Sequence, residues 1–180
     1  MYLKSVKLKR AVLSAMLAAL IFIATAVFPI PLGNGYANLG DAIIAVAAFF
    51  VGPLWGALAA GVGSAFADVF LGYTVYAPAT FIIKAIMAVI FFYIFRPFAK
   101  GRASAPMAFT ASFCSEVFMI VGYFLFEAVL YTPAGAIPNI MGNSVQGLVG
   151  CAVATVLVSL FSHNRFFMKH SSTNRCVIMM

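Results

Sequence analysis

The sequence predicts an all-α membrane protein, a single bundle of six transmembrane helices with both termini cytoplasmic. Three observations carry that prediction. Of the 180 residues, 64% are hydrophobic and only 8% charged, with a mean hydropathy of +1.08; a soluble domain of this size cannot bury so much apolar surface. At about 20 residues per span, the length holds five or six helices and no separate soluble domain. The basic residues also fall where the positive-inside rule wants them. Lys4, Lys7, Lys9 and Arg10 precede the first apolar run, Arg96, Lys100 and Arg102 separate the fourth from the fifth, and Arg165, Lys169 and Arg175 follow the last. With six spans all of these lie on one side, and only Lys84 is left over. The expected organisation is a six-helix transmembrane domain over 1–165 and a polar tail over 166–180.

Span 1 covers 11–28, free of charge, and stops at Pro29 and Pro31, because proline cannot continue a helix interior. Its basic start and its Ala24-Thr25-Ala26 also resemble a secretory signal, but the apolar run exceeds the usual length of about 7–15 residues. After the loop PLGNGYAN, span 2 covers 39–51 with Asp41 at its start, and Gly52-Pro53 breaks it. Span 3 covers about 55–71, and its small residues Gly56, Ala60 and Ser64 form a stripe that leads to Asp68 and admits close helix packing. Span 4 covers 76–95, span 5 covers 105–130 and is long enough to tilt, the loop YTPAGAIPN follows, and span 6 covers 142–161.

The formal net charge of +7 does not point to nucleic acid, because the basic residues are scattered at span ends where topology explains them. Cys114, Cys151 and Cys176 make no close-spaced ligand pattern, and His163 and His170 sit in the C-terminal tail, so neither a metal site nor a cofactor is expected. There is no GxSxG, HExxH or Walker A lysine. The chain reads as a non-enzyme, and any ATP-driven work must come from a partner.

The informative residues are the ionisable ones inside apolar runs. A charge at the centre of a membrane helix costs about 2.5–3.5 kcal/mol on insertion scales. Asp68 and Lys84 must therefore face protein, water or a ligand. Lys84 lies nine residues past Val75, about 13 Å at helical rise, and its stem can reach up toward Asp68. A structural Asp68–Lys84 pair and direct ligand contact are both open and compatible. On span 5, Glu116, Tyr123 and Glu127 are spaced by seven and eleven residues, which gathers them within about 40° of arc. Asn143 and Gln146 begin span 6. These polar groups crowd toward the outer half of the bundle and outline a small-molecule cavity open to the outside. A solitary ion-coupled secondary transporter, with one of the acids protonated during its cycle, is the alternative reading.

The segments AVLSAMLAA after the basic start, IPLGNGYANLGDA, and GSAFADVFLGYTVYAPATFIIKA, in that order within six spans, resemble the substrate-binding S component of an energy-coupling factor (ECF) vitamin transporter. The likeness is greatest to the branch assigned to hydroxymethylpyrimidine or pyridoxine, itself similar to riboflavin S components. It implies a multi-pass protein of the cell membrane that takes a vitamin or precursor from outside. The loaded protein docks on a shared transmembrane coupling subunit and, through it, two cytoplasmic ATPases. The resemblance further implies substrate contacts from Asn34, Tyr36, Asn38, Lys84, Glu116, Tyr123, Glu127, Asn143 and Gln146, with the first loop closing above the ligand. It assigns partner contact to Ala11, Ala15 and Ala19, whose four-residue spacing also permits close helix approach.

Overall fold

The computed structural model describes residues 2–27, 29–32, 35–96 and 105–163, with 2–6, 30–32 and 35–37 described through their backbone alone. The expected polar tail over 166–180 lies outside them. Six helices run in chain order: α1 (Tyr2–Ala26), α2 (Gly40–Val51), α3 (Pro53–Leu71), α4 (Ala77–Phe95), α5 (Ala105–Leu130) and α6 (Pro133–His163). All but α2 are long and apolar enough to cross a membrane. At 12 residues, α2 extends about 18 Å, well short of a hydrocarbon core of about 30 Å.

The short helix is the hub. It packs against α1, α3, α4 and α6, and ten of its residues are buried, so it is apolar on every side as an enclosed helix must be. Its alanines let neighbours come close: a Cβ on Gly56 of α3 would stand 2.9 Å from the Ala48 Cα. Gly52 (φ 89°) turns α2 into α3 in a backbone region that side chains avoid, and Pro53 starts the next helix where its missing N–H is harmless. Outward, the helices present apolar side chains such as Val129 (90% exposed) and Phe70 (71%), as lipid-facing surfaces do.

Two segments depart from the sequence expectation. The loop PLGNGYAN contains an antiparallel ribbon, β1 (Ile30–Leu32) and β2 (Gly35–Ala37), with Leu32 opposite Gly35. That register leaves only two residues for the connection, the length most common in hairpins. Of the segment YTPAGAIPN, all but the first two residues are helical and make the first turns of α6, which starts at Pro133. Thr132 caps it, accepting a hydrogen bond from the Gly135 N–H at 3.1 Å, and Pro133 occupies the first helical position. Residues that read as loop formers therefore serve as a helix start, and Pro138 is carried inside the helix.

Helix α1 rests on α3. Ser14 donates to the Trp55 carbonyl at 2.8 Å, and Gly63 lies so close that an added Cβ would meet the Ala18 carbonyl oxygen at 2.5 Å. Because that neighbour is backbone, Gly63→Ala should lower stability by about 1–3 kcal/mol, read as a fall in Tm of the detergent-solubilised protein. An unchanged Tm would mean that α1 can back away from α3 without loss.

Candidate functional site

The helix ends nearest the hairpin build one polar cavity. Because consecutive helices alternate direction, this end gathers the C-terminal turns of α1, α3 and α5 and the N-terminal turns of α2, α4 and α6. The cavity encloses about 40 Å³, and all twelve residues lining it are polar: Thr25 of α1, Asn38 before α2, Ser64 and Asp68 of α3, Tyr73 and Tyr76 of the α3–α4 turn, Thr80 and Lys84 of α4, Tyr123 and Glu127 of α5, and Asn143 and Gln146 of α6. In a chain this apolar, such a concentration is not a by-product of packing; buried polar groups are costly unless they are bonded.

Its floor is a buried ion pair. The Lys84 Nζ sits 2.5 Å from Asp41 Oδ1, and the two residues are 2% and 3% exposed. Asp41 lies in the first turn of α2, where the helix dipole favours an acid. Its second oxygen accepts from Gln146 Nε2 at 2.6 Å. The Gln146 Oε1 accepts in turn from Asn38 Nδ2 at 3.3 Å, and Asn38 Oδ1 takes the Gly40 N–H at 2.8 Å and the Thr25 hydroxyl at 3.3 Å. On the other side, the ammonium stands 5.5 Å from the centre of the Tyr123 ring, a cation–π distance, and the Tyr123 hydroxyl bonds Thr80 at 3.0 Å. One matched donor–acceptor chain thus ties α1, α2, α4 and α6, and the ring contact and the Thr80 bond of Tyr123 add α5.

Near the turns, the Tyr76 hydroxyl lies 3.4 Å from Glu127 Oε1 and 3.2 Å from the Tyr131 hydroxyl. Burial, with the Tyr131 hydrogen bond and the Glu127 charge, pushes the Tyr76 phenol far above its usual range, so it stays protonated and able to donate. The turn itself is fixed by Gly72 (φ 88°) and by the Tyr73 N–H bonding the Asp68 carbonyl at 2.8 Å, which ends α3 in a Schellman-type closure.

Of the residues expected at the site, Asn38, Lys84, Tyr123, Glu127, Asn143 and Gln146 line the cavity, as does Asp68. Asn34 lies outside the described residues, and Tyr36 is on β2 opposite Pro31. Glu116 is elsewhere. It borders a separate space of about 10 Å³ with Asp41, Ser112 and Ser115, deeper in the bundle, where Gly150 makes room: an added Cβ there would stand 2.6 Å from Glu116 Oε1. The expected Asp68–Lys84 ion pair is corrected as well. The lysine pairs with Asp41, since α2 lies directly beside α4 and offers a carboxylate at its own level. Ala15 and Ala19 are exposed on α1, and Ala11 is half-buried. Sequence reasoning placed Asp41 at the start of span 2 without a role at the site, read Ser64 as helix packing, and passed over Thr25 and Thr80. A signal for Asp41 was available, because it is one of only four acids in the chain and opens an otherwise wholly apolar helix.

Removing one partner of a buried pair strands the other charge, at a cost of about 3–5 kcal/mol. Lys84→Met and Asp41→Asn should each destabilise the protein by about that much, and the double variant should recover a large part, as a double-mutant cycle in thermal unfolding would show. Strictly additive losses would mean the pair does not tie the helices.

Comparison with known proteins bears on this architecture. The model of the family "ECF-type riboflavin transporter, S component" matches residues 5–162. An uncharacterized protein of Pyrococcus woesei is 37% identical over 125 residues, 69% of this chain and 81% of the relative. Among solved structures, the S component of a bacterial ECF transporter superposes with a TM-score of 0.65 at 21% identity, over 87% of this chain and 97% of that one, a likeness of fold. The helical architecture and the family match agree, and the chain belongs to the S-component family of ECF-type riboflavin transporters.

Proposed function

We propose that the protein is the substrate-specificity subunit of an ECF-type importer, binding a small vitamin or vitamin precursor such as hydroxymethylpyrimidine or pyridoxine in the cavity beneath the hairpin. The observation that carries the reading is the convergence of twelve polar side chains on one cavity at one end of the bundle. Asn38, Lys84, Tyr123, Glu127, Asn143 and Gln146 are the substrate contacts in this reading, with the Tyr123 ring and its hydroxyl chain giving both a flat face and a fixed polar edge. In this reading Asn34 and Tyr36 also contact the substrate, while Glu116 acts from beneath the Asp41–Lys84 pair.

The orientation follows from charge. Among the described residues, Lys7, Lys9 and Arg10 lie at the start of α1 and Arg96 at the end of α4, both opposite the cavity. The positive-inside rule puts that end in the cytoplasm and the cavity outside, with α2 completing a six-helix arrangement and both termini cytoplasmic. Docking on a transmembrane coupling subunit, which connects to two cytoplasmic ATPases, uses the face of α1 bearing Ala11, Ala15 and Ala19. Exposed Val12, Met16 and Ile23 make that helix apolar around the alanines, and the small residues let a partner helix come close.

Two measurements test the proposal. Mass spectrometry of the purified protein should find a small heterocyclic molecule bound, and Asn143→Ala or Gln146→Ala should weaken its binding about tenfold or more. Ala15→Trp should leave binding unchanged while abolishing assembly with the coupling subunit and ATP-driven uptake. Uptake that survives Ala15→Trp would remove α1 as the docking helix.

A further inference from the structure

We propose that a second site, beneath the Asp41–Lys84 pair and apart from the outer cavity, holds one buried water molecule that bridges α5 to α2. The space there is about 10 Å³, at the lower end of the roughly 10–15 Å³ that a single water needs. Nothing larger fits without moving the helices.

The polar groups come from one face of α5. Ser112, Ser115 and Glu116 stand three and four residues apart, so they share a side of that helix, and each is at most 5% exposed. Inside a membrane helix such a face must find its partners within the protein. Direct contact does not supply them. Helix α2 packs chiefly on α1, α3, α4 and α6, and α5 meets Asp41 and Ile44 of α2 across this small space. The Ser115 hydroxyl turns back to its own helix, donating to the Ala111 carbonyl at 2.8 Å. Ser112 Oγ and Glu116 Oε2 are buried with no hydrogen-bond partner among the described residues. Met87, Phe91 and Ala154 complete the wall with carbon, so the missing partner has to come from a molecule in the space itself.

Water matches what these groups lack. It donates one hydrogen to Glu116 Oε2 and accepts the Ser112 hydroxyl, which removes the cost of two unbonded polar atoms at once. Its second hydrogen serves the Asp41 carboxylate, whose oxygens each take one bond, from Lys84 and Gln146, and keep lone pairs to spare. About three bonds are usual for a buried water. A metal ion matches poorly. The Lys84 ammonium already stands on the Asp41 carboxylate, and the described residues contain no group of three His, Cys, Asp or Glu side chains able to hold a metal. A hard cation would also want six or more oxygens.

The test is a crystal structure of the full chain at a resolution that shows ordered water, together with thermal unfolding of variants in detergent. One density peak is expected within hydrogen-bond distance of both Glu116 Oε2 and Ser112 Oγ, with at most four polar neighbours. Ser112→Val replaces the water with carbon and strands the carboxyl oxygen, so Tm should fall by about 3–10 °C. Adding Glu116→Leu removes both polar groups and should restore more than half of that fall, because matched apolar replacement is close to neutral. A peak with five or six oxygen neighbours, direct contact between Ser112 and Glu116, or no density in the space would overturn the proposal. So would a Ser112→Val protein as stable as the parent, or losses that simply add. If a variant fails to fold, the density in the unaltered protein decides alone. None of these outcomes touches the outer cavity, whose ligand is tested separately.

Discussion

The contact on which the rest of the bundle depends is the ammonium of Lys84 against the carboxylate of Asp41. A lone charge at this depth would be costly in surroundings this apolar, so the lysine's position on α4 requires an acid at the same level, and α2 supplies it from its first turn. That requirement explains why α2 is short and central. A full-length span in its place would carry its N-terminal turn, and the acid with it, up to the membrane surface. The pair also marks a change of solvent within the protein. On the hairpin side the lining is wholly polar, whereas on the other side Met87, Phe91, Phe95 and Phe49 close the core with almost no exposure.

Much of this fold is legible in the sequence because membrane spans are long and their punctuation is blunt. Gly52-Pro53 ends one helix and starts the next just where it stands in the sequence, and the bounds of α3, α4 and α5 follow the apolar runs closely. Proline and glycine mislead where they play their other role. The run Thr132-Pro133-Ala134-Gly135 reads as a loop, yet threonine with a following proline is also the signature of a capped helix start, and the helix that continues past Pro138 decides between the two. The hairpin was hidden for a different reason: three-residue strands are too short to show an alternating pattern.

The site was half legible for a reason that can be stated geometrically. Helical periodicity fixes the direction in which a side chain points but not what stands opposite it at each level. Glu116 shares an arc with Tyr123, yet it lies seven residues away, about 10 Å along the axis, which puts it below the ion pair and against the glycines of α6 rather than in the cavity. The choice of Asp68 as partner for Lys84 failed in the same way. Neighbouring spans in sequence are natural partners, and α3 does pack on α4, but the short helix that comes between them and α6 is invisible to any argument from adjacent loops.

The cavity lies at one end of the bundle, where helix ends meet side chains from further in such as Lys84 and Gln146, and that placement carries its own logic. An end exposes backbone groups that must be satisfied, so it attracts polar side chains, and each cap here also orients a residue of the lining. Asn38 takes the Gly40 N–H as α2 begins and passes its amide to Gln146; the Gly72 closure of α3 holds Asp68 on one side of the turn and sets Tyr73 and Tyr76 on the other. Side chains fixed in this way are held by the helix ends themselves. The Asp41–Lys84 pair and the residues it holds therefore belong to the packed helices, and the hairpin and the α3–α4 turn only connect them.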